Sequence, residues 1–198
     1  MLGNLLLLLM TTLPLVGSPG PATLGIAATS AAYGIRRTLP YYFGIFTGTS
    51  LVLVATLSGV AGILTATPSI ETAMRIVAGG YILWLAYKIA SAPITREGTS
   101  GHLSPAFSSG LFLAMVNPKA YASMSSITLS VTVLPNAPMA DAMVKILVIC
   151  VTVAAVDGIW LTIGSGISKL WQRPKIGRII NLCFATALVI TMVFIFVI

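Results

Sequence analysis

Apolar residues in this chain fall into long continuous runs, and polar residues are confined to the short gaps between them. The runs extend over Leu2 to about Tyr33, Pro40 to Leu64, Thr72 to Ala90, Pro105 to Leu134, Ala142 to Ile163 and Ile179 to Ile198. The gaps hold Arg36-Arg37, Thr67-Pro68-Ser69, the hydrophilic stretch Ser91 to Ser104, Pro135-Asn136-Ala137-Pro138, and a basic cluster from Lys169 to Arg178. A membrane-spanning helix needs about 20 apolar residues. The pattern therefore predicts an all-α polytopic membrane protein with six transmembrane helices and short loops.

The first and fourth runs exceed one straight span, and each carries an interruption. Gly17-Ser18-Pro19-Gly20-Pro21 divides the first, and Asn117-Pro118-Lys119 divides the fourth. Proline lacks the N–H and disturbs the helical ladder. Backbone groups freed in this way cannot face lipid, so they must be buried in protein or line a wet cavity. A plain proline kink explains either interruption alone; the matched pair points to a site. The two lie three helices apart, an odd number, which predicts two inverted three-helix repeats with discontinuous helices, a transporter signature. The whole chain reads as one transporter domain, residues 1–198. Repeat one covers about 1–90, a loop 91–104, and repeat two about 105–198.

Composition narrows the function classes. Hydrophobic residues make up 57% and charged ones 8%, against about 25% charged in a soluble domain. A water-soluble globular domain and a disordered chain are both excluded. The net charge of +7 comes from clusters between apolar runs, without a basic face, which argues against a nucleic-acid partner. Eight basic residues (Arg36, Arg37, Lys88, Arg96, Lys169, Arg173, Lys175, Arg178) fall on one side and two (Arg75, Lys145) on the other. The side with eight is expected to be cytoplasmic, with both termini outside. Leu5–Leu9 resembles a signal-peptide core, but no Lys or Arg precedes it, and a broken transmembrane helix is the better reading. Cys150 and Cys183 lie in apolar runs and read as small buried hydrophobes. No metal-ligand spacing is present, and the single histidine, His102, belongs to a polar loop. With no nucleophile–base constellation, an enzyme is not expected.

Two charged residues lie deep within apolar runs, away from their ends: Lys119, directly after Pro118, and Asp157 in the cytoplasmic half of the fifth run. Charges at such depth are costly and mark functional positions. Lys119 and Asp157 are expected to approach each other in at least one state. The alternatives are a purely stabilising pair or a lysine that snorkels to the interface. Candidate substrate-binding residues are Pro19, Gly20, Pro21, Asn117, Pro118, Lys119 and Asp157. Gly44 and Gly48 form a small-x-x-x-small pair, which marks close helix contact or simply the abundance of glycine in membrane helices. Tyr81, Trp84 and Tyr87 recur at helical spacing and are expected to pack.

Several of these elements resemble the lysine exporter (LysE/RhtB) family. They are Ser18-Pro19-Gly20-Pro21, Tyr33 to Arg37, Gly44 with Gly48, Gly79 to Leu85, Phe107 to Gly110 with Asn117-Pro118-Lys119-Ala120, and Asp157 with Trp160. The likeness runs from about Leu13 to Arg178. It implies an inner-membrane exporter of amino acids or related small metabolites, working by proton antiport without a cofactor. It also implies that the two interruptions shape the site and that Asp157 responds to protons or to the substrate ammonium. The short Ser91–Ser104 segment and Pro135–Pro138 depart from the family pattern and bear on substrate identity. An importer of small metabolites and a non-transporting accessory or assembly subunit are the alternative functions. A homodimer packed on the small-residue faces is a further possibility.

Overall fold

A computed structural model describes residues 2–91, 106–171 and 174–197. The loop with Arg96, Glu97 and His102, and Arg173 of the last basic cluster, lie outside the described residues. All regular structure among the described residues is helical: α1 (Leu2–Gly17), α2 (Pro21–Tyr33), α3 (Ile35–Leu57), α4 (Val60–Ala66), α5 (Pro68–Ser91), α6 (Phe107–Val116), α7 (Pro118–Ser130), α8 (Pro138–Trp171) and α9 (Pro174–Val197). Four segments are long and apolar enough to cross a membrane: Ile35–Leu57, Pro68–Ser91, Pro138–Ile167 and Lys175–Val193. α1 and α2 make a fifth if their 60° bent pair is one span. The fourth apolar run is divided between α6, of 10 residues, and α7, of 13, each too short to cross alone.

Most boundaries follow local chemistry. Pro21, Pro118 and Pro138 open α2, α7 and α8, where the missing N–H costs nothing and the fixed φ suits the first helical turn. Gly34, between α2 and α3, has φ +78°, a conformation natural only to glycine. α8 is longer at both ends than the fifth apolar run. Its first turn carries Asp141, whose carboxylate accepts the N–H groups of Val133 (2.6 Å) and Leu134 (2.8 Å). The same carboxylate pairs with Lys145 at 2.8 Å, and Lys145 Nζ also donates to the Thr128 carbonyl at 3.0 Å. This buried cluster ties the segment after α7 to the start of α8.

Packing is dominated by α3 on α6, α2 on α8 and α5 on α9. Glycines set the first two contacts. A Cβ at Gly44 would meet the Phe107 carbonyl, and one at Gly110 would meet the Tyr41 carbonyl. A Cβ at Gly48 would lie 2.6 Å from the Ala114 methyl. Across α2 and α8, a Cβ at Gly164 would meet the Ala27 carbonyl, and Ser30 Oγ donates to the Leu161 carbonyl at 2.7 Å. Such backbone approach is the usual means of joining helices where lipid supplies no hydrophobic drive. Gly44 and Gly48 thus face α6 of the same chain, so they do not provide a surface for a second copy.

Two buried clusters flank the centre. One includes Leu8, Val52, Tyr121, Met124, Ile127 and Val153; the other includes Ile26, Tyr41, Ile45, Ile82, Leu113 and Leu161. Large apolar side chains also cover the outside, among them Met10, Phe43, Leu51, Ile76, Leu147, Val151 and Ile159. Of the aromatic stripe on α5, Tyr81 packs, whereas Trp84 is half-exposed and Tyr87 is 72% exposed. The Tyr81 ring lies 5.4 Å from Trp84 and 5.3 Å from Phe112, and Lys88 Nζ sits 4.9 Å over the Trp84 ring.

Candidate substrate site between two helix breaks

The first break comprises Ser18, Pro19 and Gly20. Ser18 closes α1 locally: its N–H donates to the Pro14 carbonyl (3.1 Å) and its hydroxyl to the Leu15 carbonyl (3.0 Å). Gly20 is extended, and its N–H donates to Thr23 Oγ1 at 2.9 Å, which caps α2. The next carbonyls have no helical continuation: Pro21 has no N–H for that of Gly17, and the 60° bend between α1 and α2 takes those of Ser18 and Pro19 out of the ladder. Side chains from elsewhere complete them. Trp160 Nε1 on α8 donates to the Gly17 carbonyl at 3.4 Å. Lys119 Nζ on α7 donates to the Ser18 carbonyl at 2.6 Å and to that of Pro19 at 3.5 Å.

The second break is tighter. α6 ends at Val116, and Asn117 is extended and 3% exposed. Its Oδ1 accepts the Lys119 N–H at 3.1 Å, and its carbonyl accepts the Ala120 N–H at 2.9 Å. Asn117 therefore caps α7 and aims Lys119 at the first break. Asn117→Ala is expected to lower stability by about 1 kcal/mol, the usual value of such a cap. Thermal unfolding of the purified protein in detergent measures it.

Between the breaks lies a cleft holding about 430 Å³ of atom-free space, including its open mouth. Leu15, Val16, Gly20, Ala22 and Thr23 line it from the first break, and Asn117, Lys119, Ala120, Ser123 and Met124 from the second. Ile45 and Thr49 of α3 and Val153 and Asp157 of α8 complete the wall. Of the residues singled out from sequence, Gly20, Asn117, Lys119 and Asp157 line the cleft. Pro21 and Pro118 open helices beside it, and Pro19 contributes a carbonyl.

Asp157 is 3% exposed. It shares the cleft with Lys119, but the lysine amine is bonded to the Ser18 and Pro19 carbonyls. Lys119 and Asp157 are not within ion-pair distance of each other, unlike Lys145 and Asp141. In this structure the two charges share a cavity without forming a direct pair. Thr23, Thr49 and Ser123 were not legible as site residues, because isolated hydroxyls are commonplace in membrane helices. Trp160 had a signal, its place one turn after Asp157.

The cleft can hold both signs of charge. The carbonyls at the end of α1 and the Asp157 carboxylate attract a cation. The Lys119 ammonium attracts an anion. Apolar side chains from Leu15, Val16, Ile45, Met124 and Val153 form the remaining wall.

Comparison with known proteins gives the same direction. A leucine efflux protein of Klebsiella pneumoniae subsp. pneumoniae is 31% identical over 107 residues, covering 52% of this chain and 50% of the relative. Leucine efflux proteins of Enterobacter sp. and Salmonella choleraesuis are each 29% identical over 107 residues, covering 52% of this chain and 51% and 50% of those proteins. The chain thus spans about half the length of the curated relatives it matches. No solved structure matches the chain significantly. The family model for LysE type translocators matches residues 13–197, a range that contains both helix breaks and Asp157. With that match over nearly its whole length and several helices able to span a bilayer, this multi-pass membrane protein belongs to the LysE type translocator family.

Proposed function

We propose that the protein exports amino acids, aliphatic ones first, across the inner membrane by proton antiport. The observation that carries this reading is the cleft between the two helix breaks, where an ammonium, a carboxylate and helix-end carbonyls converge beside an apolar wall. A zwitterion with an aliphatic side chain meets each of these features. The leucine efflux relatives support the substrate class.

Six spans in two inverted repeats are part of this proposal. Counting α1/α2 and α6/α7 each as one broken span gives six. Contact pattern supports the repeat: α1 and α2 both pack on α8, as α6 and α7 both pack on α3. α3 with α8 and α5 with α9 then pair like with like across the two halves. In this arrangement the basic loops face the cytoplasm, and one repeat rocks against the other around the cleft. The substrate enters from inside, and protonation of Asp157 from outside weakens its hold on the substrate ammonium.

The test is efflux from liposomes loaded with leucine and a panel of other amino acids. With the external medium made acidic, release of leucine or a close analogue is expected to rise over that at equal pH. Folded protein that moves no amino acid under any gradient overturns the proposal. Uptake rather than release under that gradient supports the importer alternative instead.

A further inference from the structure

We propose, resting on the amino-acid reading above, that the Ser18 and Pro19 carbonyls are the ammonium subsite, and that Lys119 fills it while the cleft is empty. The substrate ammonium then displaces a tethered copy of itself. The lysine side chain ends in the same –NH3+ group as the α-carbon of an amino acid, with three donors and no acceptor.

Three observations carry the inference. First, Lys119 reaches from α7 across the cleft to the end of α1 at 2.6 Å, although a carboxylate, Asp157, lines the same cleft. Second, the carbonyls it reaches lie just past the negative end of α1, where the 60° bend into α2 interrupts helical pairing. Third, the room for this reach is made by the absence of a side chain at Gly20. A Cβ there would lie 2.9 Å from both Cδ and Nζ of Lys119.

Displacement fixes the chemical class of the substrate. An amino acid brings its own carboxylate, which receives the evicted lysine, so the charge within the cleft is unchanged on binding. An amine without a carboxylate brings only a cation. It leaves two like charges in a buried cleft, with Asp157 to compensate one of them. Lys119 is thereby a specificity element that admits zwitterions and rejects plain amines.

The test compares leucine with isoamylamine, which is leucine without its carboxylate, by calorimetric titration of the purified full chain. The wild type is expected to bind leucine and to bind isoamylamine weakly or not at all. In Lys119→Met the carbonyls stand open, and isoamylamine is expected to bind at least about tenfold more tightly than to wild type, the worth of one charge-assisted hydrogen bond. Leucine is expected to bind that variant more weakly. Amine binding that is unchanged or weaker in Lys119→Met, while the wild type still binds leucine, overturns the inference and leaves the amino-acid reading standing. A folded wild type that binds no amino acid overturns both. Should Lys119→Met fail to elute as a folded species, Lys119→Gln carries the same comparison.

Discussion

Asp157→Asn is expected to lower acid-driven amino-acid efflux by about a hundredfold or more, while the protein still folds. The two buried acids of α8 make the contrast that supports this expectation. Asp141 is engaged by two backbone N–H groups and by Lys145, so it holds structure together. Asp157 is buried at 3% exposure and its side chain forms part of the cleft wall. Asparagine keeps its size and polarity but can neither carry a negative charge nor take up a proton near neutral pH. Removing one member of a buried set of charges costs about 3–5 kcal/mol, which is about two to four orders of magnitude in a binding or rate constant. Two readouts separate the possible roles. Gradient-driven efflux reports coupling, and leucine counterflow without a gradient reports binding and exchange alone. Loss of the first with survival of the second assigns Asp157 to the proton. Loss of both assigns it to the substrate ammonium. Near-normal, pH-responsive efflux in the variant removes Asp157 from the mechanism.

The parts of this site that were legible in sequence share one property: they break a local rule. Prolines within apolar runs violate helix continuity, and Lys119 and Asp157 violate the exclusion of charge from lipid. Such violations stand out without any knowledge of neighbours. What Lys119 bonds to is decided by residues about a hundred positions away, at Ser18 and Pro19, and no local pattern carries that information. The same holds for Gly110 and Gly164. Each is one glycine among 18, and only the partner helix, α3 or α2, gives it a purpose. The early start of α8 was within reach: Pro138 sits at a favoured first helical position, and Asp141 and Lys145 stand four apart, the spacing of neighbours on one helix face. A lone ion pair near the end of an apolar run reads as surface chemistry until the structure shows it buried around Val133 and Leu134.

Gly44→Ala and Gly164→Ala are each expected to destabilise the protein by more than about 3 kcal/mol, the upper end of the usual range for overpacking. The reason is the identity of what the new methyl would strike. At Gly44 it is the Phe107 carbonyl and the Leu111 N–H, and at Gly164 it is the carbonyl and Cα of Ala27. A flexible side chain can swing aside; helical backbone moves only with the whole helix. Separating α3 from α6 would also carry Gly48 and Gly110 out of register with their partners. The cleft would open with it, because Ile45 and Thr49 of α3 form one of its walls. Gly166→Ala is the control. It lies on the same helix as Gly164, but a Cβ there meets nothing within 4 Å. Alanine is the better helix former by about 0.5–1 kcal/mol, so that variant should be as stable as wild type or slightly more so. Melting temperatures in detergent, read by size-exclusion of heated samples, compare the three. Equal melting of Gly44→Ala, Gly164→Ala and Gly166→Ala would mean that neither helix pair is held by backbone contact. A selective loss at positions 44 and 164 would tie the integrity of the candidate cleft to the two crossings that bring α3 onto α6 and α2 onto α8.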